Sequence, residues 1–154
     1  MAKIKTICTL CGEKSKSKEI PANCPICTAN LENPGEAVLK RTYCRIYPEG
    51  AMSTTVKKGI LFLTDRRVFW LKRPAGNLYR RGVFDAIWEA IFPIQKEMIF
   101  SFRHNEIAGV EIVKAGPFKM LTITAGGKKL VLDVKASERS EWLDAINNAI
   151  NTGN

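Results

Sequence analysis

Apolar and polar residues alternate along much of the chain from residue 36 onward, with the two-residue period of a β-strand. Residues 36–47 form the first such segment. Two apolar runs follow at 59–64 and 67–72, and the short turn between their β-branched and aromatic residues predicts a hairpin. Further strands are predicted at 98–103, 107–113, 118–124 and 128–134, with Gly126-Gly127 turning the last pair. The pattern therefore predicts a run of antiparallel strands joined mostly by short turns.

The last part of the chain has helical spacing instead. A helix is predicted from about Ser137, whose hydroxyl can cap its first turn, to Asn151. Its apolar residues recur every three or four positions and define one buried face; they are Trp142, Ala145, Ile146, Ala149 and Ile150. Strands followed by one amphipathic helix predict a mainly β (α+β) fold, in which the helix plugs the open corner of a strongly bent sheet.

A second segment with helical spacing lies between the third and fourth predicted strands. Its apolar residues form a wide stripe between Gly82 and Pro93, and they are Val83, Phe84, Ile87, Trp88, Ile91 and Phe92. The basic residues that lead into it are Lys72, Arg73, Arg80 and Arg81. Two interpretations remain open. The stripe covers the sheet or a contact between copies of the chain, or its aromatic residues enter a lipid surface while the basic residues meet anionic headgroups.

Four cysteines near the start of the chain have the spacing of a metal site. Cys8-Thr-Leu-Cys11 and Cys24-Pro-Ile-Cys27 are separated by residues 12–23. Two Cys-x-x-Cys turns can place four thiolates around one ion, and such closed sites are structural because they leave no position for substrate. Four thiolates suit zinc and also rubredoxin-like iron, so spacing favours zinc and leaves iron open. Cys44 lies in an alternating segment and is interpreted as a small buried strand residue.

The two cysteine turns resemble those of the zinc-ribbon family over residues 6 to about 30. This resemblance implies a ribbon domain at 1–32 that holds a structural Zn²⁺ through Cys8, Cys11, Cys24 and Cys27. So short a segment cannot build an adequate apolar core, and metal binding supplies folding free energy on the order of 10–16 kcal/mol in comparable peptides. We therefore expect a chelator to unfold residues 1–30 and to leave the remainder folded.

The segment from 36 to 151 resembles the pleckstrin-homology-like superfold, specifically its GRAM and bacterial PH branches. The matching residues are Gly59-Ile-Leu-Phe-Leu-Thr-Asp-Arg-Arg-Val-Phe-Trp70, Ile107-Ala-Gly-Val110 and the helix around Glu141-Trp142. The resemblance implies a domain at 36–151, folded as a seven-stranded bent antiparallel barrel closed by a C-terminal helix. It also implies a binding module that recognises lipid or peptide and catalyses no reaction.

The positive net charge of the chain favours binding to anionic partners. The chain has 24 Lys and Arg against 15 Asp and Glu, a formal net charge of +9, which suits an anionic lipid surface or a nucleic acid. The lysine-x-arginine element of inositide-binding relatives is missing from the uncharged strand 60–64, so we expect nonspecific anionic attraction or a protein partner. The residues assigned to that contact are Lys40, Arg41, Arg45, Lys57, Lys58, Arg73, Arg80, Arg81, Phe84, Trp88 and Phe92.

Two alternative functions remain open. Many zinc ribbons bind nucleic acid, and five lysines of the ribbon could contact phosphates: Lys3, Lys5, Lys14, Lys16 and Lys18. The ribbon lacks an aromatic residue for base stacking and an arginine for reading base edges, so solvation of a small module is the favoured explanation of these lysines. In the other alternative both modules are assembly surfaces, and residues 83–92 form a homo-oligomer contact.

The sequence offers no case for an enzyme. The single histidine, His104, has no nucleophile pattern around it and is interpreted as exposed or as part of a turn. Ala125-Gly-Gly-Lys128 lacks phosphate-loop spacing and is better explained as a hairpin turn. The N-terminal residues lack the apolar core of a secretory signal, and the apolar stretch 83–94 is too short and too charged to span a membrane. We therefore expect a cytoplasmic protein, with a peripheral position at the membrane if lipid is its partner.

Overall fold

The structure is a computed structural model that describes residues 2–48, 56–72 and 97–153. The helix predicted around 83–92 lies outside these residues. So do six of the residues assigned to a lipid or protein contact, namely Arg73, Arg80, Arg81, Phe84, Trp88 and Phe92. The predictions for this segment therefore stay predictions.

The described residues form two antiparallel sheets and one α-helix. The small sheet pairs β1 (Ile4–Ile7) with β2 (Lys14–Ser17). The large sheet contains seven strands in the order β6-β5-β4-β3-β9-β8-β7. These strands are β3 (Val38–Tyr47), β4 (Lys57–Thr64), β5 (Arg67–Lys72), β6 (Glu97–Arg103), β7 (Ile107–Ala115), β8 (Phe118–Ala125) and β9 (Lys128–Asp133). The helix α1 (Arg139–Thr152) follows the last strand, so the expected fold class, mainly β with a C-terminal helix, is confirmed.

The hairpin turns explain why the strand predictions agree closely with the structure. Gly126 and Gly127 join β8 to β9 with φ angles of 56° and 72°, a left-handed conformation that glycine adopts without steric cost. Gly116 joins β7 to β8 in the same way, with φ of 60°. Each strand begins and ends within about two residues of its predicted bounds, because the turn residues punctuate the alternating pattern.

The C-terminal helix differs from its prediction at one end. It begins at Arg139, and its N-cap residue is Glu138, without a side-chain capping hydrogen bond, so the predicted cap at Ser137 is wrong. The N–H of Glu138 donates instead to the carbonyl of Lys135, in a turn that precedes the helix. Trp142, Ile146 and Ala149 are buried as expected. His104 is also buried, in the 3-10 turn His104–Glu106, and this corrects the expectation that it is exposed.

One face of the large sheet and the helix enclose the main hydrophobic core, which we call the inner cluster. Alternate residues of the central hairpin point into it, and these are Leu61, Leu63, Val68 and Trp70. The helix contributes Trp142, Ile146 and Ala149, and β8 and β9 contribute residues such as Leu121 and Leu132. Cys44 also lies here, as the sequence predicted.

The opposite face of the same hairpin is buried as well. Ile60, Phe62, Phe69 and Leu71 pack against the four-cysteine segment in a second cluster, which we call the outer cluster. The ribbon side contributes Leu10 and Ala29 together with the four cysteines. The predicted domains 1–32 and 36–151 thus share one hydrophobic cluster. Their boundary stays a prediction, and so does the expectation that a chelator unfolds residues 1–30 and leaves the remainder folded.

Candidate functional site

Two turns of the same design hold the four cysteines. In the first, the N–H of Gly12 donates to the carbonyl of Cys8 at 2.8 Å, and the N–H of Cys8 donates to the carbonyl of Glu13 at 2.8 Å. In the second, Thr28 donates to Cys24 at 3.0 Å and Cys24 donates to Ala29 at 2.8 Å. Each turn therefore closes around its cysteine pair through the same backbone hydrogen bonds.

The sulfur positions fit a single tetrahedral metal ion. All four Sγ atoms lie within 4.8 Å of one another, with Cys8 and Cys27 at 3.6 Å and Cys11 and Cys24 at 3.7 Å. Four sulfurs at about 2.3 Å from a tetrahedral zinc are separated by about 3.8 Å. The observed separations exceed the roughly 2.05 Å of a disulfide bond, so no disulfide joins these four residues. These cysteines can hold one metal ion.

Burial and mutual hydrogen bonds give the cysteines unequal acidity. A hydrogen bond from Cys27 lowers the pKa of the Cys11 thiol to about 5, whereas burial raises the pKa of Cys24. Crowding four thiolates without a cation is therefore unfavourable, and a bound divalent ion would supply the compensating charge. Cys44 lies apart from them, and burial raises its pKa to about 12, so it behaves as an unreactive core residue.

Thr28 is held in a conformation that is unusual for its residue type. It follows Cys27 as Gly12 follows Cys11, and its φ is 60°, in the left-handed region that β-branched residues rarely adopt. Its hydroxyl accepts a hydrogen bond from Nη1 of Arg67 at 3.2 Å. The contact with the sheet therefore helps to hold the second cysteine turn in this conformation.

Arg67 connects the ribbon, the linker and the sheet. Its Nη2 donates to the carbonyl oxygen of Cys27 at 2.6 Å, and its Nε forms an ion pair with Oε1 of Glu36 at 2.8 Å. Nη1 also donates to Oγ of Ser101 at 3.2 Å, and the guanidinium stacks 4.5 Å above the ring of Phe69. Arg67 and Glu36 are nearly buried, with side-chain exposures of 11% and 12%. This ion pair therefore fixes how the cysteine segment sits on the sheet.

The sequence prediction missed Arg67 as a functional residue. It is the first residue of β5 and follows Asp65 and Arg66, which both remain exposed, and nothing in the pattern separates it from them. The one available signal was the apolar character of residues 60–63 and 68–71. Strands without polar alternation are buried on both faces, which requires a second covering element.

Basic residues gather where β3 ends and β4 begins, which we call the basic end of the sheet. Arg45 is the Cα partner of Lys58, Ile46 is the partner of Lys57, and Lys72 follows across Gly59. The β8–β9 turn lies at the same end and brings Lys128. Within the described residues none of these lysines takes part in an ion pair, although Asp133 is the other partner of Arg45 and Glu97 the partner of Lys72.

Two other predicted contact residues lie apart from the basic end. Lys40 forms an ion pair with Glu141 at 3.0 Å, and its Nζ lies 5.7 Å from the ring centroid of Trp142, at the helix. Arg41 is exposed on the outer face beside Phe62, about 13 Å along the strand from Arg45. The structure thus brings together Arg45, Lys57 and Lys58 and leaves Lys40 engaged elsewhere.

Among the described residues no helix is long and apolar enough to cross a bilayer.

No protein-family model matches the sequence, and no curated protein is significantly similar to it. A solved structure with a similar fold is the C-terminal domain of an unknown protein from Leishmania infantum, with 16% identity, a TM-score of 0.52, and coverage of 75% of this chain and 85% of that one. Others are the N-terminal PH domain of human ARAP2 (12% identity, TM-score 0.48, 74% and 80% covered) and the Vps36 N-terminal PH domain (12%, 0.49, 77% and 81%). Sequence identities this low show a similarity of fold and nothing about function. The seven-stranded antiparallel sheet with its C-terminal helix is consistent with a pleckstrin-homology-like fold.

Proposed function

We propose that this protein is a non-catalytic binding module that docks on an anionic membrane surface through the basic end of its sheet. In this proposal the ribbon holds a structural Zn²⁺, and the protein is cytoplasmic and peripheral at the membrane. Assignment to the GRAM or bacterial PH branch remains a prediction. The single observation that supports docking is the gathering of Arg45, Lys57, Lys58 and Lys72 at one end of the sheet.

Like charges in directly opposed strand positions destabilise a sheet. Lys57 and Lys72 add positive charge from the other face of the same strand ends, and Lys128 adds more from the neighbouring turn. The described acidic residues beside them, Glu97 and Asp133, do not balance this set. Anionic headgroups would neutralise this surplus of positive charge, and they attract each such residue by about 1 kcal/mol.

Zinc is the metal that best fits the closed set of four thiolates. It accepts tetrahedral sulfur ligands without redox chemistry, and no fourth position remains open for a substrate or water. Cys8, Cys11, Cys24 and Cys27 would all be ligands, and the ion would stabilise the fold. Metal analysis of the purified protein distinguishes zinc from iron, which absorbs visible light in a four-thiolate site.

Vesicle sedimentation tests the docking proposal. The wild type should sediment with phosphatidylserine-containing vesicles at low salt and remain in solution with neutral ones, and salt should weaken the interaction. Charge reversal by Lys57→Glu together with Lys58→Glu should weaken binding by roughly 30-fold or more, because two favourable charges become unfavourable. Vesicles of equal charge that contain phosphoinositides should bind no more tightly.

A matched control lies at the other end of the sheet. Lys114 and Lys119 are exposed Cα partners beside the β7–β8 turn, so Lys114→Glu with Lys119→Glu changes net charge identically. This control should bind vesicles with much less than the loss seen at the basic end. Equal losses in the two variants, or no sedimentation of the wild type at low salt, would overturn membrane docking and leave a protein partner as the explanation for the basic end.

Nucleic-acid binding by the ribbon is the second candidate, and one observation favours it. Lys5 and Lys16 are directly opposed in the β1–β2 hairpin, and Lys14 lies on the same exposed face. Retardation of RNA or DNA that depends on salt, and that Lys5→Glu with Lys16→Glu abolishes, would support it. Because Lys57 and Lys58 belong to another surface, their charge reversal separates the two candidates.

Self-association through residues 83–92 also remains a proposal. Light scattering of the wild type and of Trp88→Glu would test it, since a charge inside an apolar contact should shift an oligomer to monomer.

A further inference from the structure

A polar cleft of about 850 Å³ lies in the seam between the ribbon and the sheet. The ribbon side presents Asn23, Thr28 and Asn30. The sheet side presents Arg66, Arg67, Ser101 and Arg103, and Glu36 and Glu106 also line the cleft. Its volume is within the range of sites that hold small molecules. The cleft is at the far end of β4 from Lys57 and Lys58, so it is separate from the surface proposed for membrane docking.

The side chains of this cleft are biased towards hydrogen-bond donors. Arg67 donates from Nη1 to both Thr28 Oγ1 and Ser101 Oγ, each at 3.2 Å, which leaves the two hydroxyl protons free to donate elsewhere. Oδ1 of Asn30 accepts the N–H groups of Glu32 at 3.0 Å and of Asn33 at 2.8 Å. Its amide NH₂ is consequently the group left for a ligand.

Glu36, one of the two acidic residues that line the cleft, is already engaged in an ion pair. Oε1 of Glu36 accepts from Thr64 Oγ1 at 2.7 Å and from Arg67 Nε at 2.8 Å, and Oε2 accepts from Arg67 Nη2 at 3.2 Å. Oε2 of Glu106 accepts the backbone N–H of Arg103 at 2.7 Å. Glu36 therefore neutralises Arg67, and its oxygens are not available to repel an incoming anion.

Two guanidinium groups remain available. Arg66 and Arg103 are exposed, and within residues 2–48, 56–72 and 97–153 neither guanidinium is in an ion pair. Backbone pairing holds them side by side, because Arg103 is the Cα partner of Arg67 and the N–H of His104 donates to the carbonyl of Arg66. Gly35 leaves room for Arg66, whose Nη2 would lie 2.8 Å from a Cβ at that position.

We infer that this cleft binds a phosphate monoester. Two free guanidinium groups match a dianion, and the forked donors of arginine pair with its oxygens in a bidentate manner. Two hydroxyls and the Asn30 amide supply further donors, more than the two oxygens of a carboxylate can accept, whereas the three terminal oxygens of a phosphate can accept them all. The group can belong to a free metabolite or to a phosphorylated side chain.

The site is composite, because neither the ribbon nor the sheet forms it alone. Thr28 and Asn30 reach the cleft only while the second cysteine turn is docked on Arg67. Binding should therefore depend on the metal that folds the ribbon, and phosphate should in turn increase the resistance of the metal site to chelators.

The test is an NMR titration of the zinc-loaded full chain at constant ionic strength. Inorganic phosphate and O-phosphoserine should shift the backbone amides of residues 28–30, 66, 67 and 101–103 in a saturable way, with a dissociation constant of about 1 mM or below. Arg66→Gln with Arg103→Gln should weaken binding roughly tenfold or more for each lost charge-assisted contact. Lys114→Gln with Lys119→Gln is the charge-matched control and should bind as the wild type does.

Two further arms complete the experiment. A phosphoserine peptide that binds at least tenfold more tightly than O-phosphoserine identifies a phosphorylated protein as the source of the phosphate, and equal affinities identify a small metabolite. Unsaturable shifts, or equal affinities for wild type and the double arginine variant, would overturn the inference, as would undiminished binding after metal removal. Lys57→Glu with Lys58→Glu should leave phosphate binding intact, so failure here and failure of membrane docking are separate results.

Discussion

The β4–β5 hairpin is buried on both faces, but by covers of different physical kinds. Its inner face packs against α1 and the strands β7–β9, whose apolar side chains are carried by regular secondary structure. Its outer face packs against a segment with only two short strands, in which the buried residues include all four metal-binding cysteines. The inner cover can hold its shape by hydrophobic packing. The outer cover would depend on an ion held by these cysteines.

This difference assigns a role to the metal that the spacing of the cysteines does not reveal. Phe62 and Phe69 stack with ring centroids 4.8 Å apart, and the ribbon shields them from water. Burial of each large apolar side chain contributes about 1.5–3 kcal/mol. A metal ion bound by the four cysteines would therefore stabilise part of the sheet in addition to the ribbon.

Metal removal should produce the largest difference between the inner cover and the outer cover. Chelation, or Cys24→Ser, should unfold the ribbon, since metal binding supplies on the order of 10–16 kcal/mol in such modules. The outer face of the hairpin should then become exposed, so the sheet should melt at a lower temperature and bind a hydrophobic dye. NMR dispersion of residues 2–31 and of Phe62 and Phe69 reports both effects.

Thiol reactivity gives an internal control. Chelation should make the four ribbon cysteines react rapidly with a disulfide reagent, whereas Cys44 should remain slow because it is buried and its pKa is raised to about 12. An unchanged melting temperature of the sheet in the metal-free protein would show that the ribbon is an independent appendage.

Alanine substitutions on the two sides of the hairpin should lower the free energy of unfolding by amounts that respond differently to metal removal. Phe69→Ala on the outer face and Trp142→Ala on the inner side should each cost about 3–5 kcal/mol in the loaded protein, because both residues are fully buried. In the metal-free protein the cost of Phe69→Ala should fall to about 0.5 kcal/mol, the value for exposed positions. The cost of Trp142→Ala should not change. Denaturant unfolding of the wild type and both variants, with and without metal, measures these costs. If metal removal changed the two costs equally, the distinction between the covers would be contradicted.

Substitution of Arg67 should detach the outer cover while all four cysteines remain in the sequence. Arg67→Gln leaves the carboxylate of Glu36 buried and unpaired, which typically costs about 3–5 kcal/mol. Arg67→Lys should recover part of this, since it restores the charge but not the forked contacts to Cys27 and Ser101. The affinity for metal, measured by chelator competition, should be lower in Arg67→Lys than in the wild type and lowest in Arg67→Gln. Arg41→Gln, an exposed arginine on the same face, should change neither quantity.

The smallest effect is expected at the exposed ion pair of the inner cover. Lys40→Ala removes the contact with Glu141, whose side chain is 66% exposed, and such pairs contribute less than about 1 kcal/mol. Vesicle binding should also remain near the wild-type level, since Lys40 lies away from the basic end. A loss as large as that of the Lys57 and Lys58 variant would mean that the docking surface extends to the helix.

The strands and the cysteine site could be predicted because each has a local signal. Alternation, diglycine turns and Cys-x-x-Cys spacing all operate within about ten residues, and the structure reproduces them. Ser137 shows the limit of such signals, because a hydroxyl near a helix start does not become the cap when a preceding turn at Lys135 moves the start to Arg139.

The docking of the ribbon could not be predicted in the same way. The contact between Arg67 and the carbonyl of Cys27 joins residues that are forty positions apart, and it depends on how two separate turns meet. The apolar residues 60–63 and 68–71 indicated burial on both faces but not the identity of the cover. The phosphate cleft exists only as a product of that docking, so it too has no signature in the linear pattern.

The doubly buried hairpin also has a consequence for synthesis of the protein in the cell. Residues 60–63 and 68–71 are uncharged, apolar and rich in β-forming residues, a composition that promotes intermolecular aggregation when exposed. Charged residues flank both runs and act as gatekeepers: Lys57, Lys58, Asp65, Arg66 and Lys72. Because the ribbon precedes the hairpin in the chain, it can take up its metal before these strands leave the ribosome. If the cysteines hold a metal, its shortage during translation should therefore send newly made chains to aggregates and to quality-control proteases.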